Sequence, residues 1–526
     1  MNGPRLSRRG FLGAGLAAAL PAWVEGCTHS SARTPAGGAT DAESLRALVQ
    51  RMVDFGPRLT GSPAHNNFLD WLEQGFQSLG LNVIRDPYTF TRWQAKRWSL
   101  ELLDESNATP VDVAYYYPYS GPTPEEGVTG DLVSIDLPAE EITITPADAA
   151  GAIDFLENFA TNLAPALQAA IAAVPGGVQG SILILNGVIP PLLTGVFAPF
   201  LSYAKTGDTA RMLAGDYKRA WIATFTLQIL TVAQQAGAAG AILVLDASPD
   251  CARGQYLPFS STINPCPALL VNREVGAMLR EKAASRPQVR LTLTADLFEN
   301  TRSDSLVAIL PGASDENMIV NTHTDGQNAF EENGAVACLA IAQHYAAIPQ
   351  AQRPRTLVFS LVTGHMGPAL PQTQGFVDNF PDLIAKAACG FTIEHFGATE
   401  WLDDETGYHA TGQPEFAGAF HSQTEVGTVA AQAYAASALT GIALLRPIGN
   451  TYFGVGAPLH QAGVPSIGYL AGPNYLVTIS DSGEMEKLDA ARMQLELEWV
   501  IDTLHRLEVI PAAALKLGMT PTPGLP

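Results

Sequence analysis

The stretch Asn321-Thr322-His323-Thr324-Asp325, followed nine residues after its histidine by Glu332-Asn333-Gly334, decides the fold that we expect for this chain. An apolar run at 318–320 leads into it and is typical of a buried strand, while the run at 335–347 is typical of a helix. A histidine and a carboxylate two residues apart at a strand end, with a second carboxylate on the next loop, are typical of metal sites in open sheets. The motif therefore predicts a metal site with hydrolytic chemistry.

Strand-like and helix-like runs alternate on both sides of this motif. The strand-like runs lie at 306–310, 318–321, 356–361, 390–393 and 466–469. Such alternation predicts an α/β protein whose sheet has helices on both faces. His323 and Glu394 each follow a predicted strand, so we expect both at the carboxyl rim of the sheet.

The chain before residue 305 is organised differently. Further strand-like runs lie at 81–83, 98–103, 131–135, 181–185, 242–245, 267–271 and 289–295, and helix-like runs lie at 41–55, 64–79 and 273–283. Residues 151–235, rich in Ala, Leu and Pro, predict several apolar helices that either pack in the ordinary way or cover a hydrophobic substrate or touch a membrane. Because 526 residues exceed what one core accommodates, we expect at least two domains.

The first forty residues predict an export signal and a linker. Arg8 and Arg9 precede a mildly apolar run at 14–23, as in twin-arginine signals, so residues 1–26 are interpreted as the signal and 27–40 as a polar linker. Cys27 ends a segment similar to a lipoprotein cleavage box, in which Glu25 fits poorly, so a lipid anchor and simple cleavage nearby both stay open. We expect a periplasmic or extracellular protein whose membrane attachment, if any, is through Cys27.

Composition narrows the classes of partner. With 30 Lys and Arg against 51 Asp and Glu, the formal charge is −21, which argues against binding to nucleic acids. The most apolar stretch outside the signal, 188–203, is short for a bilayer and is interrupted by three prolines. Cys251 and Cys266 lie in one loop region and could pair, whereas Cys338 and Cys389 are expected to be buried thiols.

Several segments, taken in order, resemble the co-catalytic zinc exopeptidases, the family of bacterial leucyl aminopeptidases and glutamate carboxypeptidases. They are the turn at 56–62, the segments 237–245 and 267–271 with the helix from 273, and the two strands at 306–312 and 318–325. The resemblance implies a mixed open α/β sheet built from 41–109 and 300–508, a β-rich protease-associated-like domain with a helical insertion at 111–298, and a C-terminal tail at 509–526.

The resemblance also implies roles for individual residues. His323 matches the first metal ligand, and Asp325 matches the carboxylate that orients it. Glu332 stands where the family has an aspartate that bridges two zinc ions, and Glu394 where it has an aspartate ligand of the second ion. His365 falls at or beside the position of the family's general base.

Two family features are missing from the sequence. The pair of consecutive glutamates that follows a strand in the family is replaced here by Thr363-Gly364-His365-Met366-Gly367. The position of the last histidine ligand is taken by Gly456, and the nearest histidine, His460, comes four residues late. His395 and His460 are interpreted as ordinary surface or core histidines, and His409 and His421 as polar loop residues in a Gly-rich stretch.

Two functions of different classes follow from these residues. The first is a hydrolase of peptide or other amide bonds, in which His323, Glu332 and Glu394 hold one zinc or other divalent ion and His365 assists proton transfer. The second is a catalytically silent binding protein that keeps the fold and uses the same cleft for a ligand or partner. A serine hydrolase is not indicated, because the sequence has no Gly-x-Ser-x-Gly elbow.

Overall fold

A computed structural model of the protein describes residues 41–519, apart from 105–106, 137–150, 152–162, 188–191, 227–229, 258–262, 265, 368–369 and 448–451. The predicted signal, the linker and Cys27 therefore lie outside the described residues, as do parts of the apolar segment 151–235. Within the described residues, no helix is both long and apolar enough to cross a membrane.

One large mixed sheet forms the centre of the fold. The strands, numbered along the chain, are β1 (Asn82–Leu103), β2 (Ala108–Val111), β3 (Tyr115–Tyr116), β4 (Val128–Ser134), β5 (Ile182–Gly187), β6 (Leu192–Leu193), β7 (Leu201–Tyr203), β8 (Asp216–Tyr217), β9 (Gly240–Leu245), β10 (Ala268–Val271), β11 (Gln288–Leu310), β12 (Asn317–His323), β13 (Thr356–Val362), β14 (Ala387–Ile393), β15 (Thr399–Asp404), β16 (Gly407–Pro414), β17 (Ala417–His421), β18 (Ile442–Leu445) and β19 (Ser466–Ala471). The strand order in the large sheet is β3-β10-β9-β5-β4-β11-β13-β12-β14-β19-β17-β18-β7, with β1 paired to β11 and β2 to β1.

Helices pack on this sheet. They are α1 (Ala42–Val53), α2 (Pro63–Ser78), α3 (Thr206–Ala214), α4 (Ala223–Thr226), α5 (Leu230–Gln235), α6 (Pro249–Ala252), α7 (Arg273–Ala283), α8 (Asn333–Ala346), α9 (Gln372–Asn379), α10 (Pro381–Lys386), α11 (Thr424–Ala436), α12 (Ala457–Gln461), α13 (Ala490–Leu507) and α14 (Ala512–Leu515). Helix α2 begins after Ser62, whose hydroxyl accepts a hydrogen bond from the His65 backbone N–H at 3.1 Å, and Pro63 occupies its first position.

The central strands are buried on both faces, which confirms the predicted α/β class. In β12, Val320 belongs to a core shared with helices α8 and α13, whereas its neighbour Ile319 faces a second core with α9 and α12. Strands β13, β12, β14 and β19 run parallel to one another. Their carboxyl ends therefore lie at one rim, where His323 ends β12 and Glu394 follows β14.

Strands β1 and β11 differ from the prediction. The sequence predicted separate strands at 81–83 and 98–103, and again at 289–295 and 306–310, but each pair is one continuous strand. The two strands pair with each other from Asn82↔Ile309 to Leu103↔Gln288. The prediction was wrong there because the middle of β11 is exposed, so hydrophobic alternation does not reveal it.

Strand β11 also links the two predicted regions of the chain. Its first residues pair with β4 and its last residues pair with β13, so one strand belongs to both halves of the sheet. The described residues belong to one compact unit. The division into 41–109 with 300–508 and an inserted domain at 111–298 stays a prediction.

The apolar segment 151–235 is not purely helical. Its described part contains helices α3, α4 and α5, but also strand β5, which the sequence predicted, and the short strands β6, β7 and β8, which it did not. Strand β7 pairs with β18 at the edge of the large sheet, so this segment contributes to the central scaffold.

The cysteines form no disulfide within the part of the chain that the structure describes. Cys251, Cys266, Cys338 and Cys389 are all buried free thiols. The pairing that was open for Cys251 and Cys266 is therefore not made, and the expectation of buried thiols at the other two positions is confirmed. Burial raises the pKa of all four thiols.

Candidate metal centre

His323 presents one free ring nitrogen at the end of β12. Its Nδ1 lies 3.0 Å from the backbone carbonyl oxygen of Asp325. A carbonyl oxygen can only accept, so Nδ1 carries the proton and Nε2 keeps its lone pair. Burial, followed by the neighbouring His365 and His395, holds the pKa of His323 well below its ordinary value. His323 is therefore neutral, which is the state that binds a metal.

Glu331, and not Glu332, lies among the histidines. Glu331 Oε1 is 3.5 Å from His365 Nε2, and Glu331 Oε2 is 3.5 Å from His395 Nε2. Both oxygens are buried and have no hydrogen-bond partner among the described residues. Sequence reasoning missed Glu331. It matched Asn333 to the asparagine of the family's Asp-Asn pair, and this match assigned the ligand role to Glu332, the residue before Asn333.

Glu332, predicted to bind the metal, is paired with a buried arginine instead. The Nε of Arg58 donates to Glu332 Oε1, and both side chains are fully buried. Arg58 also donates to the carbonyl oxygens of Met52 at 3.0 Å and Asn328 at 2.6 Å. Burial raises the pKa of Glu332 to about 7, although Arg58 opposes the shift. The structure does not bring Glu332 into either group of potential metal ligands.

His365 follows β13 on a short loop and lies against His323. The two imidazole rings are 4.2 Å apart between centroids. The side chain of His365 is 19% exposed, and its Nδ1 lies 3.2 Å from Gln372 Oε1. Burial lowers the pKa of His365, but Glu331, with Glu394 and Asp325, outweighs burial and raises that pKa to about 9.

Asp325 supports the loop that carries His365. Its Oδ2 accepts the backbone N–H of Gly364 at 3.1 Å and of Met366 at 2.9 Å, and it also accepts the hydroxyl of Thr60. The contact to His323 is made by the backbone carbonyl of Asp325 rather than by its carboxylate. The predicted orienting role therefore falls to the main chain at this residue, and the carboxylate serves the neighbouring loop.

Glu394 and His395 complete the cluster after β14. Glu394 Oε1 accepts the N–H of Val455 at 3.0 Å, and its Oε2 lies 3.8 Å from His323 Nε2. A Cβ at Gly454 would stand 2.4 Å from Glu394 Oε1, so glycine is required for this close approach. His395 has φ 61°, and its Nδ1 donates to the carbonyl of Ala471.

The Nε2 of His395 is buried and has no hydrogen-bond partner among the described residues. Sequence reasoning treated this residue as ordinary, and its only signal was that it follows Glu394.

The other histidines lie outside the two groups of potential ligands. His460, interpreted from the sequence as an ordinary surface or core histidine, stacks on Tyr452 with ring centroids 5.3 Å apart and an angle of 17° between the planes. His421 Nε2 contacts the hydroxyl of Ser202 at 2.7 Å. At the family's last ligand position, a Cβ on Gly456 would stand 2.2 Å from Thr392 Oγ1.

The cluster has the donors and spacing that a divalent ion requires. Two groups, His323 with Glu331 and His365, and His323 with Glu394 and His395, each keep their ligand atoms within 4.8 Å of one another. Ligands at zinc–ligand distances of 2.0–2.2 Å around a tetrahedral ion stand about 3.3–3.6 Å apart, close to the separations given above.

Four ligand atoms of this cluster are buried and have no hydrogen-bond partner among the described residues. They are His323 Nε2, His395 Nε2 and both oxygens of Glu331. Such groups are costly unless something binds them. The residues therefore fit a bound divalent ion.

Comparisons with known proteins agree with this fold. No family model and no curated protein matches the sequence. Among solved structures, a peptidase M28 precursor from Shewanella amazonensis is similar with a TM-score of 0.60 and 16% identity, over 93% of this chain and 97% of that one. A zinc aminopeptidase from Bacillus subtilis is similar with a TM-score of 0.55 and 15% identity, over 90% and 97%. An aminopeptidase from an Aneurinibacillus strain is similar with a TM-score of 0.55 and 15% identity, over 89% and 94%.

At such low identity the likeness concerns the fold alone, and it extends over nearly the whole length of both partners. The chain therefore has a mixed α/β fold similar to that of these peptidases.

Proposed function

We propose that the protein is a metal-dependent hydrolase that cleaves peptide or other amide bonds. One observation supports this most strongly: three histidines and two glutamates converge on the carboxyl rim of a buried sheet, and four of their ligand atoms have no hydrogen-bond partner among the described residues. The solved structures with this fold include aminopeptidases. Amide hydrolysis is therefore the reaction that best fits both the donors and the scaffold.

A zinc or other divalent ion would be held by residues at or after the ends of β12 and β14, at the carboxyl rim of the sheet. His323, Glu331, Glu394 and His395 are the principal donors, and His365 stands beside them. Both groups of potential ligands include His323, which has one free ring nitrogen and can bind one ion, so we infer a single ion. When bound, such an ion polarises a carbonyl group and lowers the pKa of a coordinated water.

We assign proton transfer to His365. Among the five residues of the cluster, it has the most exposed side chain, at 19%, whereas the other four are at most 5% exposed. Its Nε2 faces Glu331 Oε1 at 3.5 Å, so a proton on this imidazole is stabilised by a carboxylate. Because Glu331 raises its pKa to about 9, this imidazole is protonated near neutral pH and can donate a proton to the leaving amine.

Metal analysis of protein purified without a histidine tag tests the proposal. We expect about one tightly bound divalent ion per chain and hydrolysis of a panel of aminoacyl-p-nitroanilides and dipeptides. His323→Ala should abolish both metal and hydrolysis, whereas the matched control His460→Ala, outside the cluster, should keep both.

If the purified protein carries no ion, and chelator leaves its melting temperature unchanged, the hydrolase is excluded and the binding-protein alternative stands.

A further inference from the structure

We propose that Tyr119, which belongs to region 111–298, is a positioning residue for His365. Its hydroxyl donates a hydrogen bond to the backbone carbonyl of Met366, the residue next to His365. The inference deepens the proposed function, on which it rests for its consequence in catalysis. It assigns to the region between β2 and β11 a direct part in shaping the site.

The loop that carries His365 is held by side chains rather than by regular structure. Met366 has both of its backbone polar groups bound in this way, its N–H by the Asp325 carboxylate at 2.9 Å and its carbonyl by Tyr119. Gly364 has φ 101°, and a Cβ on Gly367 would stand 2.9 Å from Thr60 Oγ1. Because no strand or helix fixes residues 364–367, these contacts set the path of the backbone that carries the imidazole.

The backbone and ring of Tyr119 are themselves held by surrounding contacts. It has φ 58°, an uncommon backbone conformation for a residue with a Cβ, and it is only 3% exposed. Its own carbonyl accepts the N–H of Asn264 at 2.7 Å, and its ring packs 5.9 Å from Trp93 between centroids. The direction of its hydroxyl is therefore set by the surrounding region.

The adjacent residue, Ser120, connects this segment to β10 by hydrogen bonds. Its hydroxyl donates to the carbonyl of Tyr117 at 2.7 Å and accepts the N–H of Ala268 at 3.3 Å. Burial raises the pKa of Tyr119, so its hydroxyl keeps its proton and remains a donor near neutral pH. A continuous set of contacts thus runs from β10 through Tyr119 to the loop of His365.

Tyr119→Phe in the full chain tests the inference, because it removes the donor and keeps the ring against Trp93. We expect kcat to fall about 10- to 100-fold while metal content stays at the wild-type level, since a displaced catalytic group lowers the rate without removing the ion. Diethyl pyrocarbonate should also modify His365 several-fold faster, as measured by peptide mass spectrometry, because the loop is released.

Tyr475→Phe is the matched control. It also removes a buried tyrosine hydroxyl from a backbone carbonyl, that of Thr399 at 2.7 Å, but it does not touch the His365 loop. The inference is overturned if Tyr119→Phe leaves the modification rate of His365 unchanged, or changes it only as much as Tyr475→Phe does. The modification experiment needs no activity, so it decides the positioning role even if the protein proves not to be a hydrolase.

Discussion

At the scale of single residues, the neighbours Glu331 and Glu332 show what sequence could and could not give. The motif around His323 located the site, and the order of residues predicted a carboxylate on the following loop. Which of two adjacent glutamates faces the histidines depends on Arg58, whose guanidinium lies 274 positions away in sequence and pairs with Glu332. Local pattern contains no information about that partner, so the ligand set could be predicted only in part.

We expect opposite effects from substituting these two glutamates. Glu331→Gln should reduce metal content strongly. It should lower the free energy of unfolding of the metal-free protein less than Glu332→Gln does, because it removes only the 3.5 Å contacts to His365 and His395. Glu332→Gln should leave a buried guanidinium without its charge partner and destabilise the fold by about 3–5 kcal/mol. Metal analysis and urea unfolding measure the two effects separately. If Glu332→Gln lost the metal and Glu331→Gln kept it, Glu332 would be the metal ligand.

Because His65 is buried, we expect the protein to lose stability in acid. Its Nδ1 accepts the N–H of Gly61 at 3.2 Å, and its Nε2 lies 2.9 Å from the Thr324 hydroxyl. Burial lowers its pKa from 6.5 to about 4. Between these values the unfolded chain binds a proton that the folded chain excludes, so stability is full above pH 6.5 and falls as the pH decreases toward 4.

At pH 5 this residue should cost about 2 kcal/mol relative to pH 7. Urea unfolding at the two pH values, for wild type and for His65→Gln, isolates the effect because other groups titrate in both proteins. Equal losses in the two proteins would contradict the assignment to His65.

At the scale of elements, predictability followed burial. Strands β12, β13 and β14 are continuous buried runs, and the ends of each were predicted to within three residues. Strands β1 and β11 were predicted only in pieces, because their middle residues pair with each other away from the core and include the half-exposed Leu297 and Phe298. Pairing between distant strands stabilises them there, and a local window cannot detect it.

Helix α8 makes a close contact that a single methyl group should disrupt. A Cβ on Gly334 would stand 2.3 Å from the carbonyl oxygen of Ile393 and 2.3 Å from Thr322 Oγ1, which belong to β14 and β12. Gly334→Ala should therefore destabilise the protein by about 1–3 kcal/mol and reduce metal content, because the helix start would move with Glu331.

Gly207→Ala in helix α3 is the control for this substitution. A Cβ there would meet no atom within 4 Å, so the change should be neutral or stabilise the protein by about 0.5–1 kcal/mol. Urea unfolding compares the two variants, and equal stability of both would show that the approach of α8 to the rim is not tight.

At the scale of the whole molecule, the α/β class could be predicted from alternating patterns, but the continuity of the sheet could not. The resemblance implied a domain boundary near residue 300. Strand β11 runs through that position with an irregularity, where Asn300 has φ 55° and the register against β1 shifts, and it pairs with β4 before this point and with β13 after it. An exposed stretch within a long strand has a local composition similar to that of a linker, so a local sequence pattern does not distinguish the two.

A reductant should not change the stability of the fold. The four cysteines in the described residues are buried free thiols, and burial raises the pKa of each. We expect the same melting temperature with and without excess dithiothreitol, and reaction of these thiols with a disulfide reagent only after unfolding. A drop in melting temperature on reduction would show that a cross-link supports the fold.

Those buried thiols have a consequence for where the protein can acquire its structure. A scaffold with no cross-link among its described cysteines does not depend on the redox potential of its surroundings, so folding can finish in a reducing compartment and the product can persist in an oxidising one. If the predicted signal at residues 1–26 directs export, these cysteines do not require the chain to fold after transport.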